Sequence, residues 1–414
     1  MARRKPKYPY FLDPDSLWFP KPSEALTDED ADGFAGLLAI GGDLSINRLI
    51  AAYSQGIFPW YSEGTPIFWW SLDPRMVMDL DCFRFSKSLR RTVKSGRFEV
   101  RVDTCFEQVI RSCASVDRTA YGQDGTWIVE DMIEAYIRLH EAGLAHSFET
   151  FLDGSLVGGL YGVSTGMFFS GESMFHTVPD ASKVAFAKLV EFCRINGFHF
   201  IDAQQPTPHL ASLGAKPIPR TLFLERLKEA LRVRIQAEKW DYHTVVLSFG
   251  SNMGDRERTI RDAAARVKER LGGFGSWSSP FYESEPWGFD EPVAGFYNCC
   301  AVFHTKLSPH EVLEALHDVE NSLGRERHEV PSSDGKRHYE SRPIDIDILF
   351  YDSLQLDAPD LQIPHPRLSQ RRFVLEPLAW LCPHCECPGT GKTVAQLLKD
   401  CPDHSQVKEV LSEC

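Results

Sequence analysis

What the sequence lacks limits the kinds of protein it can encode. It contains no apolar run long enough to span a membrane, and no apolar stretch follows the basic opening MARRKPKYPYF, so we expect neither a membrane anchor nor a signal peptide. Its net charge of −13 disfavours a protein that coats DNA or RNA, although one local basic face is compatible with it. The 11 cysteines are an odd and scattered set, which disfavours a disulfide framework and indicates a cytoplasmic protein.

A complete zinc-ligand pattern is also absent. Cys382, Cys385 and Cys387 form a Cys-x-x-Cys-x-Cys cluster beside His384, but no second ligand pair follows at the distance that a structural zinc site requires. Buried structural cysteines are therefore the favoured interpretation of this cluster, and a zinc site is the minor alternative.

The length of 414 residues and a change of pattern near residue 235 predict two domains, residues 1–235 and 241–414. Leu222, Leu224, Leu227, Leu231 and Ile235 recur at helical spacing, which predicts an amphipathic helix closing the first domain. The apolar run TVVLSF is typical of a first strand of the next domain. The first half alternates helices (129–142, 182–196) and strands (146–152, 155–163, 167–171, 198–203), so we expect an α+β fold with a largely antiparallel sheet.

Several blocks of the first half carry a resemblance to a known family. They include LLAIGGDLS (37–45), YSQGIFPWYS (53–62), WWSLDPR (69–75), GTWI (125–128), LVGGLYG (156–162), FFSGESMF (168–175), IDAQ (201–204) and HLASLGA (209–215). Together they resemble the leucyl/phenylalanyl-tRNA–protein transferase family. The resemblance implies an acetyltransferase-like fold, and transfer of Leu or Phe from aminoacyl-tRNA to the N-terminal amine of a protein, without a cofactor.

Three polar residues are the catalytic candidates of this half. Asp202 and Gln204 stand two apart on a predicted strand and therefore project from the same face. An amine that attacks an aminoacyl ester must be held in place and lose a proton, and this pair is suited to both tasks. The resemblance also places Glu172 in the active site, holding the cationic N-terminal residue of the acceptor, Arg or Lys. Outside the matching blocks, each of the three would be interpreted as a capping or solvated residue.

Two further sets are assigned to the substrates of this half. An apolar pocket for the Leu or Phe side chain would be lined by Trp60, Trp127, Leu160, Phe169 and Met174, with ordinary core positions as the alternative. A basic helix face is predicted by the spacing i, i+3, i+4, i+7 of Lys87, Arg90, Arg91 and Lys94. This face either docks tRNA phosphates or is simply solvated.

The second half has a different element order. We expect strands at 244–249, 275–282, 298–306 and 343–351 and helices at 258–271 and 309–323, a βαββαβ order that indicates a ferredoxin-like sandwich. In PIDIDIL, alternation directs Ile344, Ile346 and Ile348 to the core and Asp345 with Asp347 to the other face. Paired carboxylates suit Mg²⁺, although a half-exposed strand is the commoner cause of such alternation.

The motifs of this half resemble the 6-hydroxymethyl-7,8-dihydropterin pyrophosphokinase family. They are SFGSNMGD (248–255), FYESEPWG (281–288), FYNCCAVF (296–303), VENSLGRER (319–327), RPIDIDIL (342–349) and IPHPRLSQRRFVLEPL (363–378). The resemblance implies that the diphosphate of ATP passes to a reduced hydroxymethyl pterin. By position, Asp345 and Asp347 would bind two Mg²⁺ ions, the phosphates would meet Arg325, Arg327, Arg342, His365 and Arg371, and the pterin would meet Ser284, Trp287, Asn298 and Phe373.

A second hypothesis is that one half is a binding module without catalysis. The second half is the candidate, because Tyr339-Glu340-Ser341 and a longer loop replace the pattern of the mobile lid that the family carries. The catalytic hypothesis is favoured because both carboxylate sets are present. It predicts a bifunctional enzyme that acts on aminoacyl-tRNA, acceptor proteins, ATP and a reduced pterin, and on neither DNA nor membranes.

Overall fold

The computed structural model describes residues 8–30, 33–84, 86–116, 127–233, 239–272, 276–286, 293–325 and 341–410. The chain divides into two compact units of mixed α/β structure. Unit 1 comprises Met1–Cys193 with Phe198–Asp241, and unit 2 comprises Arg194–Gly197 with Tyr242–Cys414.

Besides two short 3₁₀-helices, unit 1 contains eleven strands and seven α-helices among its described residues. In chain order they are β1 (Tyr10–Leu12), β2 (Leu37–Gly41), α1 (Ile46–Tyr53), β3 (Phe58–Pro59), β4 (Phe68–Trp70), β5 (Arg75–Met78), α2 (Lys87–Lys94), β6 (Glu99–Val102), α3 (Phe106–Ala114), α4 (Glu130–Glu141), β7 (Ala145–Leu152), β8 (Ser155–Gly166), β9 (Phe168–His176), α5 (Ala181–Ile195), β10 (Phe200–Gln204), α6 (Pro208–Leu213), β11 (Lys216–Ile218) and α7 (Arg220–Ala230).

The strands of unit 1 form two sheets. A small sheet has the order β1-β2-β4-β3, and a seven-stranded sheet has the order β11-β5-β10-β9-β8-β7-β6. Within the described part of the large sheet, every neighbouring pair is antiparallel except β9 with β10. The expectation of a largely antiparallel sheet is therefore confirmed, and β10 brings its C-terminal end between β5 and β9.

Helix α4 shows how the sequence pattern builds the core of unit 1. Its residues Met132, Tyr136 and Leu139 are buried and recur at i, i+4 and i+7, so one face of the helix is apolar. Leu144 follows the glycine that ends the helix and packs against the same core. This face places the Tyr136 hydroxyl inside the unit.

Helix α7 packs on unit 1 through most of the predicted leucines and through two residues outside that set. The buried residues are Phe223, Leu227 and Ala230, whereas Leu222 is 43% exposed. Leu224 and Leu231 are partly buried against the same cluster, so the predicted face is confirmed there and Leu222 is the exception, while Ile235 lies outside the described residues. Unit 1 also extends beyond residue 235, since Trp240 is only 2% exposed among its aromatic residues.

Unit 2 continues the numbering of elements. They are β12 (His243–Ser251), α8 (Arg256–Arg270), β13 (Ser276–Ser278), β14 (Tyr282–Ser284), β15 (Phe296–Thr305), α9 (Pro309–Ser322), β16 (Asp345–Tyr351), β17 (Leu356–Asp357), β18 (Gln362–Ile363), α10 (Arg372–Leu381), α11 (Val394–Lys399) and β19 (Val407–Glu409).

The main sheet of unit 2 is antiparallel in its described strands, with the order β16-β12-β15-β14-β19 and β13 also paired to β15. The predicted strand 275–282 is instead two short strands, β13 and β14. Pro280 lies between them, and a proline has no N–H to donate to the ladder. The alternation in β16 is confirmed, because Ile346 and Ile348 are 5% and 4% exposed while Asp345 and Asp347 are half-buried.

A bilayer-spanning helix is not found: across the described residues, no helix combines sufficient length with sufficient apolarity to cross a membrane.

Candidate active sites

The C-terminal end of β10 forms the centre of the first site. Asp202 pairs with Val77 and Gln204 with Met76, so Ala203 is an extra residue and β10 bulges there. Gln204 takes a left-handed backbone conformation, with φ +56°. With this bulge, the side chains of Asp202 and Gln204 both hydrogen-bond the Ser170 hydroxyl of β9. That hydroxyl lies 3.3 Å from Asp202 Oδ2 and 3.3 Å from Gln204 Nε2.

Asp202 forms a buried ion pair with Arg75, a residue that the sequence reasoning did not single out. Arg75 donates from Nε to Oδ1 at 2.8 Å and from Nη2 to Oδ2 at 2.6 Å. Its guanidinium carbon lies 4.7 Å from the ring centres of both Phe58 and Phe223. The two side chains are 1% and 2% exposed, so the pair is a fixed, desolvated part of the site.

Glu172 lies beside this pair at a second bulge. Tyr161 pairs with Ser173 and Gly162 with Gly171, which leaves Glu172 without a partner in β8. Gly162 is required there, because a Cβ would lie 2.2 Å from the Ser170 carbonyl oxygen. The carboxylate accepts from Gln204 Nε2 at 2.7 Å, so the three predicted catalytic residues form one connected group.

Two tyrosines that the sequence reasoning missed complete this group. The Tyr53 hydroxyl lies 2.8 Å from Glu172 Oε1, the Tyr136 hydroxyl lies 3.4 Å from Oε2, and the two hydroxyls contact each other. Burial raises the pKa of the Glu172 carboxyl from 4.5 to about 7, against the opposing effect of its hydrogen bonds from Tyr53 and Gln204. Burial and the charge of Glu172 raise the pKa of both tyrosines well above the usual value.

A cavity of about 760 Å³ opens onto these polar groups. Its lining includes Glu172, Asp202 and Gln204 together with four of the predicted pocket residues, Trp60, Trp127, Leu160 and Met174. Phe169 does not line the cavity: it is fully buried and its ring packs against Phe148 and Trp240, at 6.4 and 6.1 Å between ring centres. The assignment of Phe169 to the pocket is therefore corrected to a core position.

The predicted basic face lies on α2, a helix capped by the Ser86 hydroxyl. Lys87, Arg90 and Arg91 are exposed on it, and Leu89 anchors the helix with 2% exposure. The side chain of Lys94 lies outside the described part of the structure. The geometry is that of a solvent-facing basic surface.

The second site lies on β16 in unit 2. Asp345 accepts from Arg325 Nη1 at 2.6 Å and also pairs with the Arg342 guanidinium. Asp347 Oδ2 lies 3.3 Å from Arg371 Nη1 and 3.7 Å from His365 Nε2. Burial lowers the pKa of His365, against the charge of Asp347.

The remaining predicted residues of unit 2 divide into three groups. A pocket beside the carboxylates is lined by Ser284, Asn298, Arg342, Asp345, Asp347, Arg371 and Phe373, so one space combines the predicted pterin, metal and phosphate positions. Asn298 donates from Nδ2 to Ser284 Oγ at 2.9 Å, which orients its amide. Arg325 and His365 contact the two carboxylates, and Arg327 and Trp287 lie outside the described residues.

The donor set of unit 2 fits Mg²⁺. Asp345 and Asp347 offer only oxygen ligands, and Mg²⁺ in phosphate-transferring sites is held by one or two carboxylates together with substrate phosphates. Among the described residues, no group of three or more His, Cys, Asp or Glu side chains is placed so that it could hold a metal ion by itself. Cys382, Cys385 and Cys387 are buried among apolar residues.

Comparison with known proteins gives a match for each unit. Residues 77–228 match the family model of leucyl/phenylalanyl-tRNA protein transferase, and residues 42–73 match the model of the N-terminal domain of that family. Residues 246–383 match the model of 7,8-dihydro-6-hydroxymethylpterin-pyrophosphokinase (HPPK).

The matched relatives cover the first half. The leucyl/phenylalanyl-tRNA–protein transferase of Chromobacterium violaceum is 52% identical over 233 residues, which are 56% of this chain and 96% of the relative. That of Bordetella petrii is 54% identical over 230 residues, which are 53% of this chain and 87% of the relative.

Matched solved structures include a crystal structure of HPPK-DHPS in complex with substrates, at a TM-score of 0.30 and 15% identity, covering 38% of this chain and 43% of that one. Wild-type HPPK-DHPS of Plasmodium falciparum with pteroate matches at a TM-score of 0.29 and 14% identity, covering 40% of this chain and 45% of that one. This chain thus spans less than half the length of these solved structures.

Proposed function

Because this chain belongs, through its first half, to the leucyl/phenylalanyl-tRNA–protein transferase family, we propose that unit 1 transfers Leu or Phe from aminoacyl-tRNA to the N-terminal amine of acceptor proteins. The observation that carries this proposal is one cavity that combines an apolar lining with Glu172, Asp202 and Gln204. An aminoacyl ester is already activated, so holding the amine against its carbonyl provides most of the catalysis.

The cavity suits the two ends of this reaction differently. Its apolar lining accommodates a Leu or Phe side chain, and such pockets select by fill, which gives modest discrimination. The buried carboxylate of Glu172 favours a cationic partner, which supports acceptors that begin with Arg or Lys. The exposed basic face of α2 supports docking of tRNA phosphates.

Unit 2 is proposed to pass the diphosphate of ATP to 6-hydroxymethyl-7,8-dihydropterin, as its family match indicates. Asp345 and Asp347 would hold two Mg²⁺ ions, which neutralise phosphate charge when bound. Arg342 and Arg371 line the same pocket and donate to phosphate oxygens, with Arg325, Arg327 and His365 in support. Asn298 would hydrogen-bond the pterin and Phe373 would stack on it, and Ser284 and Trp287 complete the proposed pterin-binding set.

The finer assignments belong to the same proposal. Unit 1 is acetyltransferase-like and unit 2 ferredoxin-like, with the boundary between the two domains after Asp241, and the protein acts in the cytoplasm. The competing assignment, a transferase whose second half is only a nucleotide-binding or structural module, differs in one respect: it predicts no product from the pterin.

The test follows both reactions on the purified full chain. One assay measures AMP from Mg-ATP and the reduced hydroxymethyl pterin, and the other measures transfer from Leu- and Phe-tRNA to an Arg-initiated peptide. We expect activity in both, and Asp345→Asn should lower AMP formation at least about a hundredfold while leaving transfer unchanged. The matched control is Asp318→Asn, an exposed carboxylate on α9, which should leave both rates unchanged.

Each failure has a distinct meaning. Transfer without any AMP formation would support the structural-module assignment for unit 2. AMP formation without transfer at any pH would refute the assignment of unit 1. Loss of both activities in Asp345→Asn would contradict two chemically independent units.

A further inference from the structure

The acceptor amine must lose a proton before it attacks, and the structure limits where that proton can go. An α-amine has a reference pKa near 8, so at neutral pH most of it is ammonium. Asp202 Oδ1 accepts from Arg75 Nε at 2.8 Å and from the Gln204 amide N–H at 3.0 Å. Its Oδ2 accepts from Arg75 Nη2 at 2.6 Å and from Ser170 Oγ at 3.3 Å. Four donors fill the four acceptor directions of a carboxylate, so both oxygens of Asp202 are fully occupied by hydrogen bonds.

The Glu172 carboxylate, by contrast, has acceptor directions that its hydrogen bonds do not fill. Oε1 has two close donors, Tyr53 at 2.8 Å and Gln204 Nε2 at 2.7 Å. Among the described residues, the hydrogen-bond partner of Oε2 is the Tyr136 hydroxyl at 3.4 Å, which also contacts the hydroxyl of Tyr53. Oε2 is therefore the carboxylate oxygen with spare acceptor capacity, and Glu172 lines the cavity.

The number of protons shared by Tyr53, Tyr136 and Glu172 also distinguishes Glu172 from Asp202. The three oxygen–oxygen contacts among Tyr53, Tyr136 and Glu172 need three protons, and two hydroxyls supply only two. A third proton on Oε2 closes the ring: Oε2–H donates to Tyr136, Tyr136 donates to Tyr53, and Tyr53 donates to Oε1. The protonated carboxyl is thus fully hydrogen-bonded, as its ionised form is not.

We propose that Glu172 is the proton acceptor of aminoacyl transfer, through Oε2, and that Tyr53 and Tyr136 are positioning residues that accommodate the proton. This inference rests on the transfer reaction proposed for unit 1. Glu172 takes one proton from the ammonium, and the neutral nitrogen bonds to the ester carbonyl carbon. The carbon–oxygen bond to the ribose then breaks, the second nitrogen proton goes to the departing ribose oxygen, and Glu172 returns its proton to solvent.

The charges around Glu172 agree with this role. Burial raises its pKa to about 7, while Tyr53 from α1, Gln204 from β10 and Arg75 from β5 lower it, and Asp202 raises it. Tyr136 from α4 completes the groups that face it. A base whose pKa lies near the working pH is ionised in a useful fraction of molecules and still binds a proton strongly.

The decisive experiment is the pH profile of kcat/KM for transfer to an Arg-initiated peptide by the full chain. Wild type should lose activity below about pH 7, as Glu172 becomes protonated. Glu172→Gln should lower kcat/KM by about 10²- to 10⁴-fold and abolish that limb. Tyr53→Phe removes a donor that favours the ionised carboxylate, so the limb should move to higher pH. Repeating the wild-type profile with an acceptor of different amine pKa should leave this limb in place.

Infrared titration of the carboxyl stretch, wild type minus Glu172→Gln, provides a readout that needs no transfer. A carboxyl that titrates near pH 7 in this difference is expected. Persistence of the acidic limb in Glu172→Gln, or absence of the titrating band, overturns the inference while the transfer assignment stands. Absence of transfer by wild type at every pH overturns the assignment itself.

Discussion

Arg75 holds the Asp202 carboxylate in a buried position, where the two side chains are 1% and 2% exposed. Its charge is balanced by Asp202 and its faces are covered by the rings of Phe58 and Phe223, so both partners are desolvated. A buried pair of this kind contributes little net stability relative to apolar residues, but loss of one partner leaves an uncompensated charge. Its main contribution is to fix the position of Asp202 beside Ser170 and Gln204.

Arg75→Met should therefore destabilise unit 1 by about 3–5 kcal/mol, since it strands the Asp202 carboxylate. Adding Asp202→Asn removes that charge, so the double variant should be more stable than Arg75→Met alone. Urea unfolding of the full chain, followed through its unit 1 transition, measures both. Arg111→Met, in an exposed pair with Glu107 and Glu130, is the matched control and should change little. A double variant as unstable as Arg75→Met would contradict the account.

The catalytic candidates differ in how far the sequence reveals them. Asp202, Gln204 and Glu172 are visible because they stand in blocks that match a known family, since an Asp-x-Gln strand pattern alone would be interpreted as a solvated edge. Arg75 lies 127 residues from Asp202, and Tyr53 lies 119 residues from Glu172. Those contacts come from the order of β5, β10 and β9 in the sheet and from the packing of α1, which no local pattern encodes.

Individual elements also differ in whether the local sequence predicts them. The basic face of α2 follows from spacing alone, because i, i+3 and i+4 positions meet on any helix. The bulges at Glu172 and Ala203 do not, since a bulge depends on how two strands are paired. The leucine pattern of α7 predicts the buried Leu227 but not the buried Phe223, whose ring also lies over Arg75.

For α2, the double variant Lys87→Ala and Arg91→Ala should raise KM for Phe-tRNA several-fold without a matching fall in kcat. The reason is that each basic side chain removed takes away a contact to a tRNA phosphate, which weakens tRNA binding. Each lost contact should also reduce the slope of log binding constant against log salt concentration by about one. Transfer kinetics at several salt concentrations give both values. Arg258→Ala, an exposed arginine of α8 with 79% side-chain exposure, should leave the slope unchanged. An unchanged slope in the α2 variant would show a merely solvated face.

At the level of the whole chain, two reactions that share no intermediate reside on units with separate cores. The boundary between them was predicted from a change in composition after residue 235, which left Trp240 in a connecting segment. The structure instead assigns Trp240 to unit 1, where its ring stacks on His146 at 3.5 Å and on Phe192 at 4.5 Å. Its backbone N–H donates to Asp103 Oδ2 at 2.7 Å, and Asp103 also contacts His146 Nδ1 at 2.8 Å.

Trp240 therefore belongs to the fold of the transferase unit, and its loss should act there alone. Trp240→Ala should destabilise unit 1 by about 3–5 kcal/mol, the usual cost of removing a buried aromatic side chain, and reduce transfer at elevated temperature. AMP formation by unit 2 should be unchanged, because Trp240 contacts residues of unit 1. Trp18→Ala, a tryptophan of the same unit with 57% exposure, is the control and should have a small effect. Equal effects of the two substitutions would mean that the segment around Trp240 is a connection after all, and that unit 1 is complete by residue 235.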